Sequence, residues 1–122
     1  MFDDNVLHSV LKQIDESLDV IEVRAENIRT VDDFYSSQQG MTLLDSICMK
    51  LIALGESIKN LDKHTDKELL MKYPEIQWKG VMGLRDIIVH HYFDIDAEEI
   101  FRIIKEDIPQ LQRVIKTMIK EN

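Results

Sequence analysis

Seven apolar residues near the start of the chain, Leu7, Leu11, Ile14, Leu18, Ile21, Ala25 and Ile28, recur in alternating steps of four and three. That spacing lines one face of an α-helix, whereas a strand would need period two. A helix is therefore predicted over about 4–29, with an apolar seam that must be covered by other parts of the chain. Asp15, Glu16, Asp19, Glu22 and Glu26 lie mostly off the seam. A second long apolar face follows in Met41, Leu44, Ile47, Cys48, Leu51, Leu54, Ile58 and Leu61. The stretch between them is polar apart from Val31, Phe34 and Tyr35, and Asp32, Ser36 and Ser37 offer caps for the second helix.

Thr65 with Glu68 has the spacing of a capping box, which predicts a short third helix ending at Pro74. From Trp78, the residues Val81, Met82, Leu84, Ile88 and Val89 predict a fourth helix that fades near Tyr92. Asp96 with Glu99 is another capping box, and Ile95 with Ile100 is spaced as a hydrophobic staple. The fifth helix continues through Ile103, Ile104, Ile108, Leu111, Ile115 and Met118, with Pro109 predicting a kink near Asp107. No strand alternation, repeat or linker interrupts this pattern. The expected architecture is all-α: an up-and-down helical bundle of four to five helices, the last kinked at Pro109.

With 122 residues, 44% hydrophobic, and only four Gly and two Pro, the chain fits a single domain over 1–122. A domain this size buries roughly two thirds of its unfolded surface, so folding needs no disulfide or metal staple. A lone cysteine, Cys48, and no signal-peptide pattern point to a reducing cytoplasm. No apolar run approaches membrane-spanning length.

Charge narrows the function. The net charge of -8 disfavours a protein that wraps duplex nucleic acid. Residues 1–49 carry 3 basic and 10 acidic groups, 50–93 carry 7 and 6, and 94–122 carry 5 and 7. A site for a polyanion belongs in the middle third.

That third holds Arg85, Asp86, Ile87, Ile88, Val89, His90, His91 and Tyr92 in succession. A guanidinium, two imidazoles and a phenol are the groups that cleavage of a phosphodiester without a metal wants: a base for a ribose 2'-OH, an acid for the leaving oxygen, and a planar cation for the phosphorane. At roughly 100° per residue, Arg85 and His90 point about 140° apart on a straight helix. Unwinding after Val89, a long reach by Arg85, or two copies of the helix meeting across a dimer would each bring them together.

The segment from Pro74 to Asp96, with Trp78, Gly83, Arg85, His90, Tyr92, Phe93 and Asp94, resembles the R-x4-H-x-Y signature of the HEPN superfamily, specifically its HepT-like toxins. Gly55-Glu56, followed by apolar residues and Lys59, resembles the second-helix pattern of the same family. Asp86 departs from it, standing where many relatives place Asn. The resemblance implies a homodimeric, metal-independent ribonuclease acting on RNA such as tRNA or mRNA, with no cofactor. It makes His90 the acid/base residue and Arg85 the phosphate ligand. It also implies a minimal nucleotidyltransferase antitoxin that transfers AMP to the motif tyrosine, here Tyr92. A second reading is a catalytically weak HEPN module that binds a nucleotide or assists such a partner, favoured by Asp86 and the acidic charge. A third is a structural bundle whose acidic first helix binds a basic partner.

Plainer roles are expected for other groups. Glu56, in a mostly apolar helix, would need a partner if buried, and Arg85 is the candidate. His91 is a surface or interface residue, His64 a solvated loop residue, and Cys48 core packing. Trp78 and Met82 belong to the core or a dimer interface. Asp86 with His90 and Asp4 with His8 have metal-pair spacing, but no third ligand is visible in sequence, so no metal site is expected.

Overall fold

A computed structural model describes residues 3–90 and 96–122, with His90 described by its backbone alone. The first apolar seam forms α1 (Asp4–Ala25), capped by the Asp3 side chain, which accepts from the Val6 amide. Leu11, Ile14, Leu18, Ile21 and Ala25 are buried along it as their spacing requires. The helix ends four residues earlier than its pattern suggests. Beyond it, the amides of Arg29 and Thr30 donate to the Asp33 carboxylate at 2.7 and 3.0 Å, turning the chain while Ile28 remains buried. These two bonds hold the Asp33 carboxyl below its ordinary range. The anchor is therefore complete above the ordinary carboxylate pKa and is lost as pH falls through the lower, folded one.

The stretch expected to be polar linker contains one turn of helix, α2 (Asp32–Tyr35), whose Phe34 is fully buried. Ser37 caps the next helix, accepting from the Gly40 amide at 2.9 Å. That helix, α3 (Gln38–His64), buries Leu44, Ile47, Cys48, Leu51, Leu54, Ile58 and Leu61. Burying each Leu or Ile contributes about 1.5–3 kcal/mol. α3 touches α1, α2 and both helices of the next segment.

The expected third helix is absent. Thr65 closes α3 instead of opening a new helix, its hydroxyl donating to the Leu61 carbonyl at 2.8 Å. Asp66 and Lys67 then adopt φ of 56° and 61°. Two successive left-handed residues cannot begin a right-handed helix, so the chain turns and forms only a 3-10 turn, Leu70–Lys72, before Pro74. His64 is correspondingly the last residue of α3 and half-buried, rather than a solvated loop residue.

The fourth apolar pattern is split at Gly83 into α4 (Trp78–Met82) and α5 (Leu84–His90). Trp78 is half-buried, its indole N–H donating to the Tyr73 carbonyl at 2.8 Å. α6 (Ala97–Arg102) is capped by Asp96, which accepts from the Glu99 amide at 3.1 Å. The Glu99 carboxylate binds Arg102. Ile95, the other half of the expected staple, lies outside the described residues.

The disturbance predicted before Pro109 takes the form of a π turn, Ile103–Asp107, which leads into α7 (Ile108–Glu121). Pro109 has no amide to donate, and its ring would clash with the carbonyl four residues earlier. Widening the turn, so that the Ile108 amide reaches the Ile103 carbonyl, removes that conflict. α7 lies against α1, where the side-chain amide of buried Gln112 donates to Asp15 and Asp19 at 3.1 and 2.7 Å. The described residues form an all-α bundle with no strand, and no described helix is long and apolar enough to cross a membrane.

Replacing Phe34 by Ala should cost about 3–5 kcal/mol of unfolding free energy in urea denaturation, because its ring is fully enclosed. A loss below about 1 kcal/mol would show that α2 does not belong to the core.

Candidate functional site

Of the candidate residues, Arg85, Asp86 and His90 fall on α5, whose seating follows from two apolar anchors. Leu84 and Ile88, four apart, are buried, so Arg85, Asp86, Ile87 and Val89 are left exposed. α5 stays helical through His90, so no unwinding after Val89 brings Arg85 and His90 onto one side. Their positions remain about 140° apart around the helix. His91 and Tyr92 lie outside the described residues, as does the side chain of His90.

Arg85 is not the partner of a buried carboxylate. Glu56 is exposed, because it stands one residue past Gly55 and hence about 100° off the buried stripe. Among the described residues Arg85 makes no ion pair with Glu56, Asp86 or any other carboxylate. The sequence expectation of a Glu56–Arg85 pair is thus corrected. Glu56 is exposed and needs no buried partner, and among the described residues Arg85 is engaged by no carboxylate.

Arg102 presents the opposite case. Its guanidinium binds Glu99 at 2.8 Å, Glu106 at 3.4 Å and Asp107 at 3.0 Å. The π turn brings Asp107 to it, and the flanking carboxylates raise its pKa above that of an ordinary arginine. Sequence reasoning passed over this cluster, although Glu99, Arg102 and Glu106 have the three- and four-residue spacing of helical ion pairs. Beside it, a cavity of about 260 Å³ opens between α5 and α7, floored by Leu54, Ile76, Leu84 and Leu111. Arg85 and Asp86 do not line it. The candidate site is therefore an exposed helix face, not this cavity.

Other groups are accounted for by packing. Cys48 is buried, and burial together with the charge of Asp45 pushes its thiol up to about 11, which leaves it protonated and unreactive. Tyr73 is buried, with its hydroxyl donating to Glu121 at 2.9 Å, while Tyr35 is exposed. Among the described residues no three His, Cys, Asp or Glu side chains gather as metal ligands would.

The sequence profile of the ribonuclease HepT-like family matches residues 14–118, spanning all seven helices in whole or part. The chain belongs to that family. Among its relatives is a Methanocaldococcus jannaschii protein named as a gamma-glutamylcyclotransferase and candidate RNase, 34% identical over 91% of this chain and 46% of the relative. A second protein of that organism, named as a candidate RNase, is 30% identical over 94% of this chain and 85% of its own length. A candidate HepT ribonuclease of Thermococcus cleftensis is 29% identical over 77% of this chain and 87% of its own. The chain thus spans about half of the two-function relative and most of the other two. No solved structure matches it. Within the HepT-like chain, Arg85 and His90 stand five residues apart on α5.

Because Arg85 and Glu56 support no buried network, Arg85→Ala and Glu56→Gln should each change stability by no more than about 0.5 kcal/mol in thermal or urea unfolding. A loss of about 2 kcal/mol or more in either would restore the structural pair.

Proposed function

We propose that this HepT-like chain is a metal-independent endoribonuclease toxin that cleaves RNA by 2'-OH transesterification. The observation that carries the reading is Arg85, an exposed guanidinium without an ion pair among the described residues, on the helix that also carries His90. An uncommitted planar fork suits a phosphate and, more strongly, the phosphorane that forms from it. In the reaction the 2'-oxygen attacks phosphorus, its proton passing to a base, and the 5'-oxygen departs with a proton from an acid. The products are a 2',3'-cyclic phosphate and a 5'-hydroxyl. His90 is assigned to these transfers, with neutral imidazole as base and imidazolium as acid.

One straight helix separates the two positions, so the reading includes a homodimer in which two α5 helices face each other. Val89, 46% exposed and about 40° around the helix from Arg85, is apolar surface that such pairing would cover. Two copies also concentrate two Arg85 groups in a chain whose overall charge is -8. Asp86 sits next to Arg85 without engaging it, which favours an active copy over the catalytically weak alternative. The setting proposed is the cytoplasm, with a minimal nucleotidyltransferase antitoxin as the second component. AMP transferred to Tyr92 would bring volume and negative charge to the site and exclude RNA phosphate.

On tRNA in the presence of EDTA, His90→Ala should lose about a hundredfold to ten-thousandfold in rate, while His91→Ala keeps most of its activity. Arg85→Lys should stay inactive despite its charge, since Lys lacks the planar two-pronged donor. Equal losses at His90 and His91, or a requirement for added metal, would defeat the assignment.

With the nucleotidyltransferase and ATP, mass spectrometry should find AMP on Tyr92 and none on a Tyr92→Phe variant that stays folded. Exposed Tyr35 is the stringent control, because buried Tyr73 is already shielded. AMP on Tyr35 in place of Tyr92 would defeat the regulatory step alone.

A further inference from the structure

α4 and the start of α5 rest on α3 at Gly55, and the approach of α4 is unusually close. A Cβ built there would lie 2.7 Å from the Val81 carbonyl oxygen and 3.4 Å from the Leu84 Cβ. The first of these is backbone, so it cannot swing aside as a side chain would. Reaching ordinary contact would require the Val81 end of α4 to withdraw by about 0.7 Å, and Leu84, three residues on, is joined to it through Gly83. Gly55 is also the only glycine in the second half of α3, a place where Ala would favour the helix. Its retention in mid-helix is accounted for by this approach.

The approach falls at the segment that presents the site. Val81 lies four residues before Arg85, and Leu84 immediately precedes it. The buried Leu84 and Ile88 hold α5 down, while the missing side chain at Gly55 determines how deeply it sits. Gly80 provides a contrast in the same region, since a Cβ there meets nothing nearer than the Gln77 Cβ at 4.0 Å.

We propose that Gly55 is a positioning residue for RNA cleavage, setting the seat of α5 on α3 and through it the placement of Arg85 and His90. The inference rests on the ribonuclease reading, and adds to it a residue that touches no substrate. Displacing reacting groups by about an ångström can cost on the order of a hundredfold in rate.

The test compares Gly55→Ala with Gly80→Ala in the full chain, measuring kcat and KM on tRNA with EDTA, the pH profile, and thermal unfolding. Gly55→Ala should lower kcat roughly tenfold to a hundredfold, leave KM within about twofold, and keep the shape of the pH profile. Gly80→Ala should match wild type. A folded Gly55→Ala protein with kcat within about twofold of wild type would overturn the proposal, as would a loss confined to KM. If the variant melts below the assay temperature, an osmolyte that restores its fold allows the same measurement. Full recovery of kcat on refolding would then overturn the proposal, and a persistent deficit would support it. Should wild type itself fail to cleave, the ribonuclease reading falls, and a crystal structure of Gly55→Ala decides the seat: α5 displaced on α3 supports it, α5 unmoved overturns it.

Discussion

The bundle depends on covering α3. That helix carries apolar residues from Leu44 to Leu61 over most of its length, too wide a face for one neighbour to bury. α1 packs along one flank, and α4 with α5 packs along another. α7 closes on α1 and seals the interior from the far side. Removing α3 from water thus fixes the order of the remaining layers, since each must turn its own apolar stripe inward. Polar bonds then select among close alternatives: Gln112 joins α7 to Asp15 and Asp19 of α1 at a register that a purely apolar seam would leave loose.

The same demand produces the candidate site. α5 is a short helix anchored by two residues, and four of its seven are exposed. Its stability comes from α3 beneath it, so its outer residues are free to serve chemistry without weakening the fold. Arg102 shows what an arginine looks like when its carboxylate neighbours already engage it. Arg85, on the opposite side of that contrast, is engaged by no carboxylate among the described residues.

Much of this was legible in the sequence because apolar spacing reports directly on burial. The seams of α1 and α3, the Asp96 cap and the interruption before Pro109 all follow from local rules. What escaped depends on competition between neighbours. Thr65 and Glu68 have the spacing of a helix start, yet Thr65 also stands four residues beyond Leu61, and the unsatisfied carbonyls of a 27-residue helix claimed its hydroxyl first. Phe34 lies in a polar stretch too short to show a period, so its burial depended on packing that no local pattern reveals. The exposure of Glu56 was hidden by the apolar residues around it, although its angle on the helix separates it from them. For the site, the signature placed Arg85 and His90 on one element, while the surroundings of Arg85 required the fold.

Trp78, the only tryptophan in the chain, opens α4 and donates its indole N–H to Tyr73, whose hydroxyl in turn reaches Glu121 near the end of α7. The molecule consequently carries an intrinsic optical reporter at the start of the segment that bears the motif. Indole emission responds to the polarity around the ring and to the loss of this bond, so shifts in the α4–α5 segment become visible as fluorescence without labels. The lone buried thiol of Cys48 leaves the surface open to labels placed by choice.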